Sequence, residues 1–359
     1  MAETPTNLVA ENETSSVETT PTVRVTITSD ATNTLIPATP SAPPSLTPSL
    51  TPNVVDEGPL LTFTAWENNS SFVYGMTVGC FEAATPCFGE MKLLFELQNI
   101  EIRATYWSPD GEWLAFEGKH ESNSEIFRDI FIIDANGQNL INLTNVKDIV
   151  SNNEFRTIAQ TPRWSPNGQT LAYNLCNLIC PVFATNIATG ETVKLLEKLS
   201  LTEEYRNTDT PLGGWSPTGE QIAIFIDDLD SNSQVYTSNL DGSELLQITD
   251  TLEENYQVSY SPDGQWLLVN RASSPEDTSY FSSLFLVRPD GSEEIQLTIS
   301  EVSYYDPIWS LDSQWLAVVG STEIDTEQIM LINLEGVSLS LELEPGKYSN
   351  PGWRPVQKP

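Results

Sequence analysis

One motif dominates this chain and limits what it can become. An aromatic residue, a four-residue turn and an apolar run recur as "YWSPDGEWLAF", "RWSPNGQTLAY", "GWSPTGEQIAIF", "SYSPDGQWLLV" and "IWSLDSQWLAVV". In the first copy, Pro109 presets φ, Asp110 tolerates the bridge region and Gly111 supplies a positive φ, so Ser108–Gly111 is a tight turn. The run that follows, "EWLAF", alternates little between polar and apolar, as expected of a strand covered on both faces. A polar loop then leads to "DIFIIDANG", a second β-rich run ending at a glycine turn, and to "NLINLTN". With the strand that ends at Trp107, each unit holds four short strands.

The spacing repeats with the motif. Turn glycines Gly137, Gly190, Gly242, Gly291 and Gly336 follow Trp107, Trp164, Trp215, Tyr260 and Trp309 by 26 to 31 residues. Successive aromatics, ending at Trp353, lie 44 to 57 residues apart. Four-stranded antiparallel units of that length are propeller blades. A sheet buried on both faces cannot stand alone, so the blades must stack in a ring. Five units start at these aromatics. The stretches "LLTFTAW", "FVYGMTV" and "MKLLFEL" add three strands lacking an innermost one, and "KYSNPGWRP" is an innermost strand with nothing after it. Joined, the two fragments make a sixth blade, which closes the ring and removes the open sheet edge. The expectation is an all-β, six-bladed propeller of four-stranded antiparallel blades over residues 58–359.

The pattern W-S-P-D-G-x-W-L-A-F, a loop, a "DIFIIDANG"-like strand and "LT" resembles the TolB-like, WD-type propeller repeat. Trp107 to Gly111, Trp164 to Gly168 and Tyr260 to Gly264 match it best, while Leu311 and Ser313 replace Pro and Gly in the fifth copy. The resemblance implies the fold. It leaves function open, because such repeats serve in binding proteins and as accessory domains of peptidases. TolB proper carries an additional α/β domain ahead of its propeller, where this sequence has a Thr/Ser/Pro-rich segment, so a role in the TolB envelope complex is not carried over.

That segment, residues 1–57, has one Arg against seven acids and few large apolar side chains. It cannot bury enough surface to offset chain entropy and is expected to be a disordered linker. Such stretches serve as stalks between an envelope anchor and an exported domain. Met1 is read as standing in place of a removed export signal or anchor. An extracytoplasmic location, whether periplasmic, secreted or surface-tethered, is the expectation, and a cytoplasmic protein with a flexible tail is the alternative. The cysteines favour export: Cys80/Cys87 and Cys176/Cys180 form two local pairs suited to hairpin-closing disulfides. Free thiols or a four-Cys zinc site are the competing readings.

With 50 acids against 16 Lys and Arg the formal net charge is −34. Nucleic acid and anionic lipid would be repelled, so neither is an expected partner. No run of 18 apolar residues supports membrane insertion. Surface carboxylates that keep the chain soluble are the plain reading of the charge, and reception of a cationic ligand is the sharper one.

Turns after the first and third strands of each unit are short and uniform, while connections after the second strand and between blades vary. The two variable sets share one end of the ring, and length tolerance on a rigid scaffold is where binding usually sits. Arg103, Gln160, Asp209, Asp306 and Asn350 precede the innermost strands at that end and, with Tyr304, are the candidate ligand-binding residues. Asp306-Pro307 and Asn350-Pro351 occupy equivalent places. Capping strand ends and holding channel water is the plain reading of these side chains. Asp228, Asp230 and Asn232 have the 1-3-5 spacing of a calcium loop, but Gly at the sixth position and Glu at the twelfth are missing; no metal and no cofactor is expected.

Catalysis finds little support. The single histidine, His120, is read as an exposed loop residue without a partner. Neither G-x-S-x-G nor G-x-G-x-x-G nor a P-loop occurs. The function that emerges is a non-catalytic binding or scaffolding module of the bacterial cell envelope or exterior. It takes a peptide, protein or glycan at the channel mouth. The alternative is a carbohydrate-active hydrolase using carboxylates such as Asp209 and Asp306, which requires two carboxyl groups converging in one pocket.

Overall fold

Strands that must be apolar on both faces explain the architecture of the computed structural model. It describes residues 58–79, 86–122, 125–146, 157–177, 179–199, 212–227, 232–272, 281–298, 302–321, 327–344 and 347–355, and the backbone of 24–28. Six antiparallel sheets form six blades. The first comprises Ile100–Trp107, Trp113–Ser122, Glu125–Asp134 and Ile141–Asn142. Those that follow have inner strands Ile158–Trp164, Leu212–Trp215, Asn255–Tyr260 and Ser303–Trp309. In the sixth, Tyr348–Arg354 pairs with Leu60–Glu67, with Leu61 opposite Trp353, so the tail of the chain completes the sheet begun near its head. Ser70–Gly79 and Lys92–Gln98 complete that blade, with a short pairing of Cys87–Phe88 beside it.

The core is divided among the blade interfaces. Six apolar clusters are present among the described residues, one between each pair of neighbours. Consecutive residues of one strand serve opposite interfaces. Phe131 and Ile133 face the sixth blade beside Val73 and Phe95, whereas Ile130 and Ile132 face the second beside Leu171 and Tyr173. Successive side chains point to opposite faces of a sheet, so a strand with two apolar neighbours has no polar face and shows no alternation. The closing interface is built like the others: Leu61, Phe63 and Trp353 pack with Trp315, Leu331 and Leu339.

The repeated turn also serves the ring. Ser108 Oγ accepts the Trp113 amide at 2.9 Å, and Gly111 (φ 70°) donates its amide to the Ser108 carbonyl at 2.8 Å. Ser165, Ser216, Ser261 and Ser310 repeat the hydroxyl bond. In the fifth blade Ser313 takes the glycine position at φ 61°, and the turn keeps its shape. Its hydroxyl also accepts the Asp263 amide of the fourth blade at 3.1 Å. Four of the repeat tryptophans reach back one blade: Trp107 Nε1 donates to Thr62 Oγ1 at 2.9 Å, Trp164 Nε1 to the Tyr106 carbonyl at 3.0 Å, Trp215 Nε1 to that of Arg163 at 3.1 Å and Trp309 Nε1 to that of Ser259 at 3.4 Å.

Two details differ from the sequence reading. Arg24–Thr28, inside the Thr/Ser/Pro-rich segment, pairs antiparallel with Ser338–Glu342 as a fifth strand on the outer edge of the fifth blade. His120 is not a loop residue. It sits in strand Trp113–Ser122, largely buried, and its Nε2 lies 2.8 Å from Asp129 Oδ2. Asp129 is fully buried and also accepts Thr144 Oγ1 and the Val146 amide, so the pair ties the first blade's loop to its sheet.

Candidate functional site

Every inner strand carries a register shift in its upper half, close to the rim where the variable connections lie. A bulge bends the strand and re-aims a side chain. Asp306 (φ 50°), Asn350 (φ 50°) and Thr161 (φ 54°) adopt the left-handed conformation, each three residues before the repeat Trp and each followed by proline. Asp and Asn tolerate this region better than other non-glycine residues, and strain of this kind gathers where a side chain must be held against its local preference. The equivalence of Asp306 and Asn350 therefore has a backbone reason. Thr161, not its neighbour Gln160, is the third member.

Between the fourth and fifth blades the bulges open a pocket of about 510 Å³. Tyr256 and Gln257 enter from the fourth blade's inner strand, Glu254 from the residue just before it, and Asn270 and Ser282 from its second and third strands. Tyr304, Tyr305 and Asp306 form the opposite wall. Nine residues separate the second and third strands of the fourth blade, more than in any other blade (two to six). The pocket thus lies beside the longest of those connections.

The polar groups are partly committed. Gln257 Nε2 donates to Asp306 Oδ1 at 3.2 Å, Asn270 Nδ2 donates to the Tyr304 carbonyl at 2.7 Å, and the Tyr304 amide donates to Ser282 Oγ at 3.0 Å. Two amide oxygens, Gln257 Oε1 and Asn270 Oδ1, are buried without a hydrogen-bond partner among the described residues. Burial holds the Asp306 carboxyl above its ordinary value, against the opposing effects of Gln257 and the Arg163 charge. Burial, reinforced by Asp227, does the same to Glu254. Arg163 is itself occupied: it donates to the carbonyls of Gly213 (2.8 Å) and Pro162 (3.0 Å) and lies 3.9 Å over the Tyr106 ring.

Of the sequence candidates among the described residues, only Tyr304 and Asp306 meet in this pocket. Arg103 is a bulge residue of the first blade, half-exposed and paired with Glu101 at 3.2 Å. Gln160 turns toward its own blade, with Nε2 3.3 Å from Cys176 Sγ. Asn350 is buried at the seam between the sixth and first blades, donating to Thr64 Oγ1 at 2.8 Å and the Ile102 carbonyl at 3.3 Å. Asp209, Asp228 and Asp230 lie outside the described residues. Glu254, Tyr256, Gln257, Asn270 and Tyr305 were not singled out by the sequence reading, though Gln257 stands three residues before Tyr260, as Asp306 does before Trp309.

Cys176 and Cys180 form a disulfide, and Cys87 is disulfide-bonded; Cys80, its expected partner, lies outside the described residues. Sulfurs so engaged do not ligate zinc, which disposes of the four-Cys reading. Among the described residues no cluster of three or more His, Cys, Asp or Glu gathers to hold a metal, and no helix is long and apolar enough to cross a membrane.

Comparison with known proteins agrees with the architecture. TolB from Acinetobacter baumannii superposes with a TM-score of 0.58 at 14% identity, covering 83% of this chain and 67% of that one. A putative TolB from Agrobacterium tumefaciens gives 0.54 at 17%, covering 74% and 87%. A chain of a nidogen/laminin complex gives 0.56 at 11%, covering 84% and 100%. At such identities the likeness concerns the fold. A family model described as the TolB beta propeller domain matches residues 149–358, and with that match over more than half its length the chain belongs to the TolB beta-propeller domain family.

Proposed function

We propose that this chain is a non-catalytic binding module of the cell envelope or exterior, and that it takes a protein partner on the variable-loop rim between its fourth and fifth blades. The observation that carries the reading is the pocket there, lined by exposed Tyr256 and Tyr305 and by acceptors that the fold leaves unused. Aromatic side chains with a wet rim supply much of the energy of protein interfaces. One structural relative is part of a nidogen/laminin complex, so a propeller of this shape occurs in a protein assembly. The disulfides fit an oxidising compartment outside the cytoplasm.

The test is selection of peptides from a displayed library on the folded propeller. Clones whose binding is lost in Tyr305→Ala but kept in Asp290→Asn, at the opposite rim, support the reading. Clones that ignore Tyr305, or none at all, retire it. One observation favours a second reading: Glu254 and Asp306 line one pocket, as a glycoside hydrolase requires. Turnover of a glycan panel by the wild-type chain, abolished in Asp306→Asn, would move the assignment there.

A further inference from the structure

The second strand of each blade passes the pocket level ten residues after the repeat aromatic. In the second blade that position is Asn174, and in the fourth it is Asn270. The two asparagines are bonded alike on the nitrogen side: Asn174 Nδ2 donates to the Cys180 carbonyl at 2.8 Å, and Asn270 Nδ2 to that of Tyr304 at 2.7 Å. Their oxygens differ. Asn174 Oδ1 accepts Thr161 Oγ1 at 2.7 Å and the Leu212 amide at 2.8 Å. Asn270 is 3% exposed, and its Oδ1 accepts no bond from the described residues. Gln257, which replaces the threonine hydroxyl at this level, adds a second buried oxygen without a donor. Leaving such oxygens unpaired costs free energy, so the fourth blade is built for donors that come from elsewhere.

The surroundings say what kind of donor. The same pocket is lined by the carboxyls of Glu254 and Asp306, and neither Lys nor Arg is among its described lining residues. Tyr256 and Tyr305 are 46% and 43% exposed at its edge, so each offers a ring to the solvent. Several of this chain's own guanidinium groups sit on aromatic faces, among them Arg163 over Tyr106 at 3.9 Å and Arg288 over Trp266 at 3.6 Å. Carboxylate and amide oxygens beside exposed rings match a flat or compact cation with several N–H groups.

We infer that the pocket between the fourth and fifth blades receives a cationic side chain of the partner, a guanidinium or an ammonium. Its N–H groups meet Asn270 Oδ1 and Gln257 Oε1, and its charge faces Glu254 and Asp306. The inference rests on the binding-module reading above and names the residue class that the partner presents.

The probes are acetyl-arginine amide, acetyl-lysine amide and, as an apolar control of similar length, acetyl-norleucine amide. Their binding is followed by ligand-observed NMR at concentrations up to roughly 20 mM, since single side chains bind in the millimolar range. Folding of each variant is checked by its melting curve. Both cations should bind and norleucine amide should not; the stronger of the two identifies guanidinium or ammonium as the natural head group. Glu254→Gln and Asp306→Asn should each weaken the cation by at least about fivefold, as loss of a charge-assisted bond does. Asn suits the left-handed backbone at 306. Glu220→Gln, an exposed acid on the turn face, controls for the overall negative charge and should change nothing. Equal binding of norleucine amide, or affinity as sensitive to Glu220→Gln as to the pocket variants, overturns the inference, as does no binding by either cation. If displayed peptides bind through Tyr305 yet are indifferent to Glu254→Gln and Asp306→Asn, the binding module stands and this inference fails. If the cations bind but no peptide does, the pocket is a cation site, but the protein-binding reading fails and with it the assignment of the cation to a partner's side chain.

Discussion

Gly111 is the place where ring closure can be weighed. Its φ of 70° belongs to a conformation that costs an L-residue about 1–2 kcal/mol. A Cβ on Gly111 would also be driven into the Pro355 carbonyl oxygen, well inside van der Waals contact. Pro355 directly follows the strand that completes the sixth blade, and Arg354 Nε donates to the Gly111 carbonyl at 3.0 Å. Gly168 holds the same position in the same kind of turn at φ 68°, but its Cβ would meet only Pro109 Cδ at an ordinary 3.5 Å. Gly168→Ala therefore measures the backbone term by itself. Gly111→Ala adds displacement of the closing strand, about 1–3 kcal/mol more by analogy with overpacked sites. At roughly 2 °C per kcal/mol for a chain this long, Gly168→Ala should lower Tm by about 2–4 °C and Gly111→Ala by about 4–10 °C. Thermal and urea unfolding followed by far-UV circular dichroism reads both. Equal losses in the two variants would mean that the C-terminal strand does not press on the first blade's turn, and the account of closure would be wrong.

Other consequences concern separate parts of the molecule. Burial raises the Glu117 carboxyl above its ordinary value, with Arg128 opposing. The native state thus holds this proton more tightly than the unfolded chain does, and stability is lost as pH rises through the native value. Glu117→Gln should match wild type near pH 4 and exceed it at about pH 7 in urea unfolding. Arg271 is buried and makes two parallel bonds to Glu294 (2.9 and 2.7 Å), a third to Asn255 and a contact with Phe285. Arg271→Lys should cost about 2–3 kcal/mol, because an ammonium cannot reproduce the fork; an unchanged urea midpoint would contradict this. Removing the Cys176–Cys180 bridge, which closes a very short loop, should cost about 2 kcal/mol and leave the fold intact, as read from circular dichroism of the Cys176→Ser/Cys180→Ser variant.

The blades were legible in the sequence because their signals are local. A turn needs Ser, Pro, Asp and Gly at fixed offsets, and a strand covered on both sides needs an unbroken apolar run. Even the joining of 60–67 with 348–354 followed from the chain's own arithmetic, five complete units and two complementary fragments. The degenerate turn at Ser313 kept its geometry because the Ser310 hydroxyl and Asp312 still supply the bonds that hold it.

The pocket could not be read in the same way. Asn270 and Asn174 stand at the same offset in their repeats, and nothing in their local sequence says that one is satisfied and the other open. That difference depends on Thr161 and Leu212 meeting one carbonyl oxygen while Gln257 stands beside the other, a matter of bulge geometry in neighbouring blades. His120 shows the same limit, since its partner Asp129 is placed by strand pairing rather than by spacing. Sequence alone therefore determined how many blades there are, how they close and which rim carries the variable connections. Only the packing of one blade against the next decided which buried oxygens were left without donors, because hydrogen-bond satisfaction belongs to pairs of residues far apart in the chain.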